Sequence, residues 1–290
     1  MFEKILVSLD GSELAEAALP YGRELAECLG SEIHMLGVCD LPRLPERLLK
    51  AYVDDSASKF KRAGLRAKAA VICGTPADVI LEYAEKAGID LIIMSTHGRS
   101  GLTRWVLGSV ADKVLHSVTV PLFLINAKKV EAVVERKTFR KVLLPLDGSD
   151  TGEAAVPFAE ELARKTNARL LLLSVMMPAY RITAAQDYPG VDLEPIMKAQ
   201  RESAENYLHD VETKLKQRGI TVSSDTMVGS AAETILDYSK EKQVDLIAMS
   251  THGRSGFGRW ILGSVTDKVV RASEIPVMVM RASGPPHGLV

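Results

Sequence analysis

A glycine-rich segment that occurs twice is the strongest indication of chemistry in this chain. The segment spans residues 94–114 and returns at 249–269, and only four of the twenty-one paired positions differ. Each copy follows a short apolar run and leads into an apolar-periodic stretch, which predicts a strand, a loop and the start of a helix. Glycines let backbone amides approach an anion, and a helix N-terminus adds its dipole. The pattern therefore predicts two phosphate-binding loops, and so two nucleotide sites.

The repeat extends over nearly the whole chain. Residues 4–12 match residues 141–149 at an offset of 137 positions, and at Gly74 and Gly229 the offset is 155. The second half therefore has 18 extra residues, and each half has the size of an ordinary domain. The sequence predicts a first domain at 1–127, a linker at 128–138, a second domain at 139–282 and a disordered tail at 283–290.

Strand and helix patterns alternate along each half. The predicted strands are 4–9, 32–38, 67–72, 90–95 and 121–126, then 140–146, 169–175, 221–227, 244–249 and 275–280. The predicted helices are 12–29, 46–63, 76–87 and 108–117, then 150–166, 193–218, 231–242 and 263–272. Apolar runs such as residues 170–173 are typical of parallel strands covered by helices on both faces. The predicted fold class is α/β, with two tandem doubly wound parallel sheets of five strands each.

In such sheets a ligand binds outside the carboxyl ends of the strands. Asp10 and Asp147 directly follow the first strand of each half, and Val38 and Val175 end the second. The glycine-rich loops follow the fourth strand. These residues are therefore expected to converge on one crevice in each half.

Composition excludes several classes of function. The chain is 47% hydrophobic and 25% charged with a formal net charge of −1, which gives no steering toward nucleic acid or anionic membrane. It shows no signal peptide and no apolar run of membrane-spanning length, so a cytoplasmic location is expected. Cys28, Cys39 and Cys73 are odd in number and lack CxxC spacing, which predicts buried free thiols.

The sequence favours binding over catalysis. It contains no P-loop signature and no nucleophile elbow, and no general base is evident. No catalytic residue and no dedicated metal site is therefore assigned. Asp10 and Asp147 could hold a Mg²⁺ together with bound phosphates.

These motifs resemble the nucleotide-binding branch of the universal stress protein family over both halves. That branch carries Gly-x2-Gly-x9-Gly-Ser/Thr after its fourth strand. The two matching sets here are Ser95, Gly98, Gly108 and Ser109, and Ser250, Gly253, Gly263 and Ser264. Serine replaces the first glycine in both, and its hydroxyl could donate to ribose or phosphate. The resemblance implies an adenine nucleotide alpha hydrolase-like fold.

The resemblance also implies a ligand and a role for each position. The ligand is an adenine nucleotide, ATP or AMP. Asp10 and Asp147 would contact the ribose or adenine, and the backbone at Val38 and Val175 the adenine edge. The loop glycines would hold the phosphates, and the closing Gly-Ser pairs would add amide and hydroxyl donors.

Further implications concern assembly. The last strands, at 120–125 and 275–280, would pair antiparallel, so that the two halves form an intramolecular pseudo-dimer. A homodimer of the whole chain and an unidentified regulatory protein partner stay open. The 18 extra residues follow the second strand of the second half, where they could form a fuller lid over a tighter site.

Each candidate residue also has a purely structural interpretation. Ser109 and Ser264 could simply cap helices, while Asp10 and Asp147 could simply form turns. The flanking side chains of the loops could contact phosphate, or else pack in the loop or face solvent. These flanking residues are His97, Arg99, His252 and Arg254. Two further functions stay open, a slow ATPase or phosphotransferase and a nucleotide-free interaction module.

Overall fold

The computed structural model describes residues 2–39, 45–96, 107–126, 139–178, 194–251 and 262–281. The strands of the first half are β1 (Lys4–Leu9), β2 (Glu32–Cys39), β3 (Ala67–Cys73), β4 (Leu91–Ser95) and β5 (Leu122–Ile125). Those of the second half are β6 (Lys141–Pro145), β7 (Arg169–Met176), β8 (Val222–Val228), β9 (Leu246–Ser250) and β10 (Val277–Met280). All ten predicted strands are therefore present, with five in each half.

The helices agree with the prediction except at the start of each half. They are α1 (Glu13–Glu16), α2 (Ala18–Leu29), α3 (Glu46–Arg62), α4 (Pro76–Ala87), α5 (Ser109–Ser117), α6 (Asp150–Glu153), α7 (Val156–Thr166), α8 (Glu194–Gln217), α9 (Ala231–Glu241) and α10 (Ser264–Ala272). The single helices predicted at 12–29 and 150–166 are each broken in two. Pro20 and Pro157 explain the break, because proline has no amide hydrogen to donate to the carbonyl four residues earlier.

Both halves form a doubly wound parallel sheet, as predicted. The strand order is β3-β2-β1-β4-β5 in the first half, and β8-β7-β6-β9 in the second. All neighbours within these two sets pair in parallel where their register is defined. The order reverses beside β1 and β6, which is where ligands of doubly wound sheets bind.

The described residues divide into two compact units. The first contains β1 to β5 together with β10, and the second contains β6 to β9. Within the first unit β10 pairs antiparallel with β5, with Met278 opposite Phe123. This pairing confirms the antiparallel contact expected of the two last strands. The domain boundaries drawn from the sequence stay a prediction, and the linker and tail lie outside the described residues.

The central strands supply the core of each unit. Ile5, Leu6 and Val7 of β1 are fully buried, and so are Val142, Leu143 and Leu144 of β6. Burial of successive residues means that helices cover both faces of the sheet.

The amino edge of each sheet is tied in the same way. Asp90 Oδ2 accepts hydrogen bonds from the backbone amides of Glu3 and Lys4 at 2.8 and 2.9 Å. Asp245 Oδ2 accepts from the amides of Arg140 and Lys141, both at 2.9 Å. Each aspartate joins the start of the first strand of its half to the turn before the fourth.

Candidate functional site

Strand register brings the candidate residues of the first half to one edge. Leu9 of β1 lies opposite Gly37 of β2, so Asp10 follows at the level of Val38. On the other side of β1, Val7 lies opposite Ile93, and two residues further on Ser95 ends β4. The carboxylate, the end of β2 and the start of the loop therefore share one level of the sheet.

The second half repeats this arrangement. Pro145 of β6 lies opposite Leu173 of β7, which puts Asp147 at the level of Val175. Ser250 ends β9, which pairs with β6 through Leu143 and Ile247. The same three elements therefore meet at the carboxyl edge of the second sheet.

A tight turn orients the Asp10 carboxylate. Its Oδ1 accepts hydrogen bonds from the Ser12 amide at 2.9 Å and the Ser12 hydroxyl at 2.6 Å. The Ser12 Oγ in turn accepts from the Ala15 amide at 3.2 Å, which caps α1. Gly11 has a φ of +77°, a conformation that favours glycine. The predicted turn is thus confirmed, and it holds one carboxylate oxygen in place at the strand end.

The equivalent turn of the second half has one tighter contact. Asp147 Oδ1 accepts from the Ser149 amide at 3.1 Å and from its hydroxyl at 2.6 Å. The Ser149 Oγ caps α6 by accepting from the Gly152 amide at 3.0 Å. A Cβ atom added at Gly152 would lie 2.6 Å from Asp147 Oδ1, whereas the first half has Ala15 at this position. The Asp147 carboxylate therefore packs directly against the backbone of α6.

The ends of each glycine-rich loop are held by backbone hydrogen bonds. The Thr96 amide donates to the Ile125 carbonyl, and the Gly108 amide donates to the Thr96 carbonyl, both at 2.8 Å. In the second half the Gly263 amide donates to the Thr251 carbonyl, also at 2.8 Å. Both loops thus leave the sheet and return to it at the same place.

Ser95 and Ser250 are buried where these loops begin. The middle of each loop, 97–106 and 252–261, lies outside the described residues. The candidates that fall there are His97, Gly98, Arg99, His252, Gly253 and Arg254.

The N-terminus of α5 points its amides at the same edge. Gly108 is the capping residue and Ser109 is the first, exposed residue of the helix, so the alternative interpretation of Ser109 as a simple helix cap is wrong. The Gly108 amide is already used by Thr96. The amides of the first three residues of an α-helix have no intrahelical acceptor, so anion donors begin at Ser109. Ser264 is likewise the first residue of α10.

Tyr52 of α3 is a candidate site residue that the sequence analysis missed. Its hydroxyl oxygen is buried. Burial raises the pKa of this hydroxyl, and the carboxylates of Glu16 and, more weakly, Asp10 raise that pKa further. The phenol therefore stays protonated near Asp10. The signal was present in the repeat, because Tyr207 and Glu153 occupy the equivalent positions of the second half.

Within the described part of the chain, no three His, Cys, Asp or Glu side chains are grouped closely enough to hold a metal ion. None of the described helices is long and apolar enough to cross a membrane.

Comparison with protein families decides the classification. The model of the universal stress protein family matches residues 1–126 and again residues 138–281. The chain belongs to the universal stress protein family. The two matches also confirm that the family's domain occurs twice in tandem.

Individual relatives agree with this classification. A universal stress protein of Synechocystis is 25% identical over 315 residues, covering 96% of this chain and 100% of the relative. One from Methanocaldococcus jannaschii is 31% identical over 146 residues, covering 45% of this chain and 86% of its own length. The crystal structure of a universal stress protein from Archaeoglobus fulgidus has a TM-score of 0.75 at 24% identity, covering 98% of this chain and 100% of that one. This last likeness shows the shared fold.

Proposed function

We propose that this universal stress protein binds an adenine nucleotide, ATP or AMP, at the carboxyl edge of each sheet. The observation that carries the proposal is the common level of the Asp carboxylate, the end of the second strand and the loop ends in both halves. The site is duplicated together with its hydrogen bonds, so the proposal covers two nucleotides for each chain.

The nucleoside would lie along the ends of β1 and β2. A carboxylate is an acceptor for ribose hydroxyls, and the turn at Ser12 already fixes the direction of the Asp10 oxygens. The half-buried Val38 offers backbone groups and an apolar surface to the adenine ring. Tyr52 would add a hydroxyl donor beside Asp10.

The phosphates would lie between the glycine-rich loop and the start of α5. Amides at Ser109 and beyond face this edge, and the helix dipole favours negative charge there. Gly98 and Arg99 would complete the phosphate site in the first half, as would Gly253 and Arg254 in the second. A Mg²⁺ ion carried by the nucleotide would sit near Asp10 or Asp147.

In this proposal the protein acts in the cytoplasm as a stress-response protein whose occupancy by nucleotide alters its contact with a regulatory protein. Binding rather than turnover is the function, since the role of each residue at the edge is to donate or accept hydrogen bonds. The antiparallel contact of β5 with β10 would make the chain an internal pseudo-dimer.

The test begins with the full chain, freshly purified and then denatured. Released small molecules are identified by chromatography and mass spectrometry, and a second sample is first incubated with Mg·ATP or Mg·AMP. The proposal predicts an adenine nucleotide, approaching two per chain after incubation. A chain that stays empty in millimolar nucleotide would refute the proposal. A parallel incubation with EDTA reports whether the metal is needed.

A further inference from the structure

The first half brings together two cysteines that are 34 positions apart in sequence. Cys39 and Cys73 are the last residues of β2 and β3 and lie directly opposite each other in the parallel register. Their thiols are hydrogen-bonded to each other. The expectation of buried thiols is correct for Cys39 but wrong for Cys73, which is exposed. We call Cys39 and Cys73 the thiol pair.

We propose that the thiol pair is a site of reversible oxidation, at which a small-molecule disulfide converts the two thiols into one intramolecular disulfide. Neighbouring parallel strands are about 4.8 Å apart, within the Cα separations of roughly 4.4–6.8 Å that a disulfide bridges. Residues in register on neighbouring strands point to the same face, so the two sulfur atoms already face the same side of the sheet.

The reaction balances with the oxidant named. A cysteine thiolate of the pair attacks one sulfur of the small disulfide RSSR, expels RS⁻ and forms a mixed disulfide. The second cysteine, as its thiolate, then attacks the protein sulfur of that bond and releases the second RS⁻. The two protons lost by the cysteines convert both leaving groups to RSH. Two electrons thus pass from the thiol pair to RSSR, which is reduced to two thiols.

Access to the pair is one-sided. Cys73 is exposed, so it is the thiol that the reagent reaches, while Cys39 is 1% exposed and resolves the mixed disulfide from within. The hydrogen bond to Cys39, and the negative charge of Glu46 more weakly, raise the pKa of the Cys73 thiol. Oxidation should therefore accelerate as pH rises, because the thiolate is the attacking species.

The pair is confined to the first half, and this gives it a specific consequence. Its counterparts in the second half are Met176 and Val228, which occupy the same register position at the ends of β7 and β8. Val38 immediately precedes Cys39. The disulfide would therefore fix the backbone at one edge of the first candidate site and leave the second untouched.

The test uses the full reduced chain, equilibrated with oxidised and reduced glutathione at several ratios, alkylated, and weighed by mass spectrometry. We expect the mass to fall by two hydrogen atoms, alkylation at Cys28 alone, and a cross-linked peptide that joins Cys39 to Cys73. Cys28→Ser should oxidise equally well, whereas Cys73→Ser should not lose the two hydrogens. Alkylation of all three cysteines at every ratio, or a mixed disulfide that persists at Cys73, would overturn the inference.

A matched variant keeps a negative result informative. Met176→Cys with Val228→Cys, in a chain that also carries Cys39→Ala and Cys73→Ser, places an equivalent pair in the second half. If the transplanted pair cross-links and the native pair does not, parallel register is sufficient for oxidation and the native thiol pair is protected, which contradicts the proposal. The readout is covalent mass, so it is independent of nucleotide binding.

Discussion

The two halves of the chain make the same backbone contacts and surround them with different side chains. Asp90 and Asp245 each accept the same two amides, and Gly108 and Gly263 each donate to a threonine carbonyl at 2.8 Å. By contrast the second and third strands of the first half end in the thiol pair, while those of the second half end in Met176 and Val228. The contacts that the two halves share are those that position the strand ends and the loop ends. The geometry of the two candidate sites is therefore the same in both halves at the level of the backbone.

An equivalent tyrosine in each half has a different hydrogen-bond partner. Tyr83 of α4 hydrogen-bonds His34 Nδ1 at 2.9 Å, and the His34 Nε2 atom contacts Glu32 at 2.9 Å. In the second half the equivalent Tyr238 donates to Asp225, because Leu171 replaces the histidine. The hydrogen-bond partner of this tyrosine therefore differs between the halves although the fold around it does not.

The largest effect is expected from the shared core. Leu6→Ala and Leu143→Ala each remove a fully buried side chain from the central strand of their half. Each should cost about 2–5 kcal/mol of stability, through lost burial and a residual cavity. Hydrogen exchange resolved to each half should show the loss in the half that carries the change. Losses that differ by more than about 2 kcal/mol would contradict equivalence of the two cores.

The next largest effect is expected at the carboxylates. Asp10→Ala or Asp147→Ala should weaken nucleotide binding in one half by about 1.5–3 kcal/mol, roughly tenfold to a hundredfold, since a charged acceptor is lost. Calorimetric titration gives the affinity of each site. Asp90→Ala is the matched control, because its carboxylate lies at the opposite edge and should affect stability without affecting affinity. An equal loss of affinity in Asp90→Ala would contradict the assignment of Asp10 and Asp147 to nucleotide binding.

A smaller effect should separate the two turns. Gly152→Ala would place a Cβ against Asp147 Oδ1 and displace the carboxylate, so affinity in the second half should fall by a few-fold, about 1 kcal/mol. Ala15→Gly, the reciprocal change, should leave affinity in the first half unaltered while weakening the helix by about 1 kcal/mol. Unchanged affinity in Gly152→Ala would show that nucleotide binding does not require the Asp147 carboxylate to lie against the backbone of α6.

The smallest expected effect concerns pH. Burial lowers the pKa of His34 from its ordinary value of 6.5, against the opposing influence of Glu32. The unfolded chain therefore binds more protons just below that value, so this histidine's contribution to stability should be lost as pH falls from 6.5 through the folded-state pKa.

His34→Leu copies the second half and should flatten this part of the stability profile. Denaturant unfolding measured between neutral pH and pH 5 would show the difference. If the free energy of unfolding depends on pH equally in the variant and in the wild type, groups other than His34 produce that dependence.

The sequence predicted the strands because each is a short apolar run, and the strand ends then located Asp10 and Val38. The break at Pro20 was missed because the apolar periodicity continues across it. The thiol pair was missed for a different reason. Two cysteines on neighbouring strands come together through the register of strand pairing. That register depends on the tertiary fold, and it produces no short sequence motif from which the pair could be predicted. The hydroxyl of Tyr52 lies near Asp10 only once α3 packs on the sheet, although its repetition as Tyr207 was visible.

The most direct test of one nucleotide site in each half is the stoichiometry of binding in single-loop variants. Gly98→Asp and Gly253→Asp each put a carboxylate where phosphate is proposed to bind in one half. The account predicts two adenine nucleotides per wild-type chain, one in either variant and none in the double variant, measured by equilibrium titration of the intact protein. Two nucleotides retained in the double variant, or a wild-type chain that binds none, would contradict it.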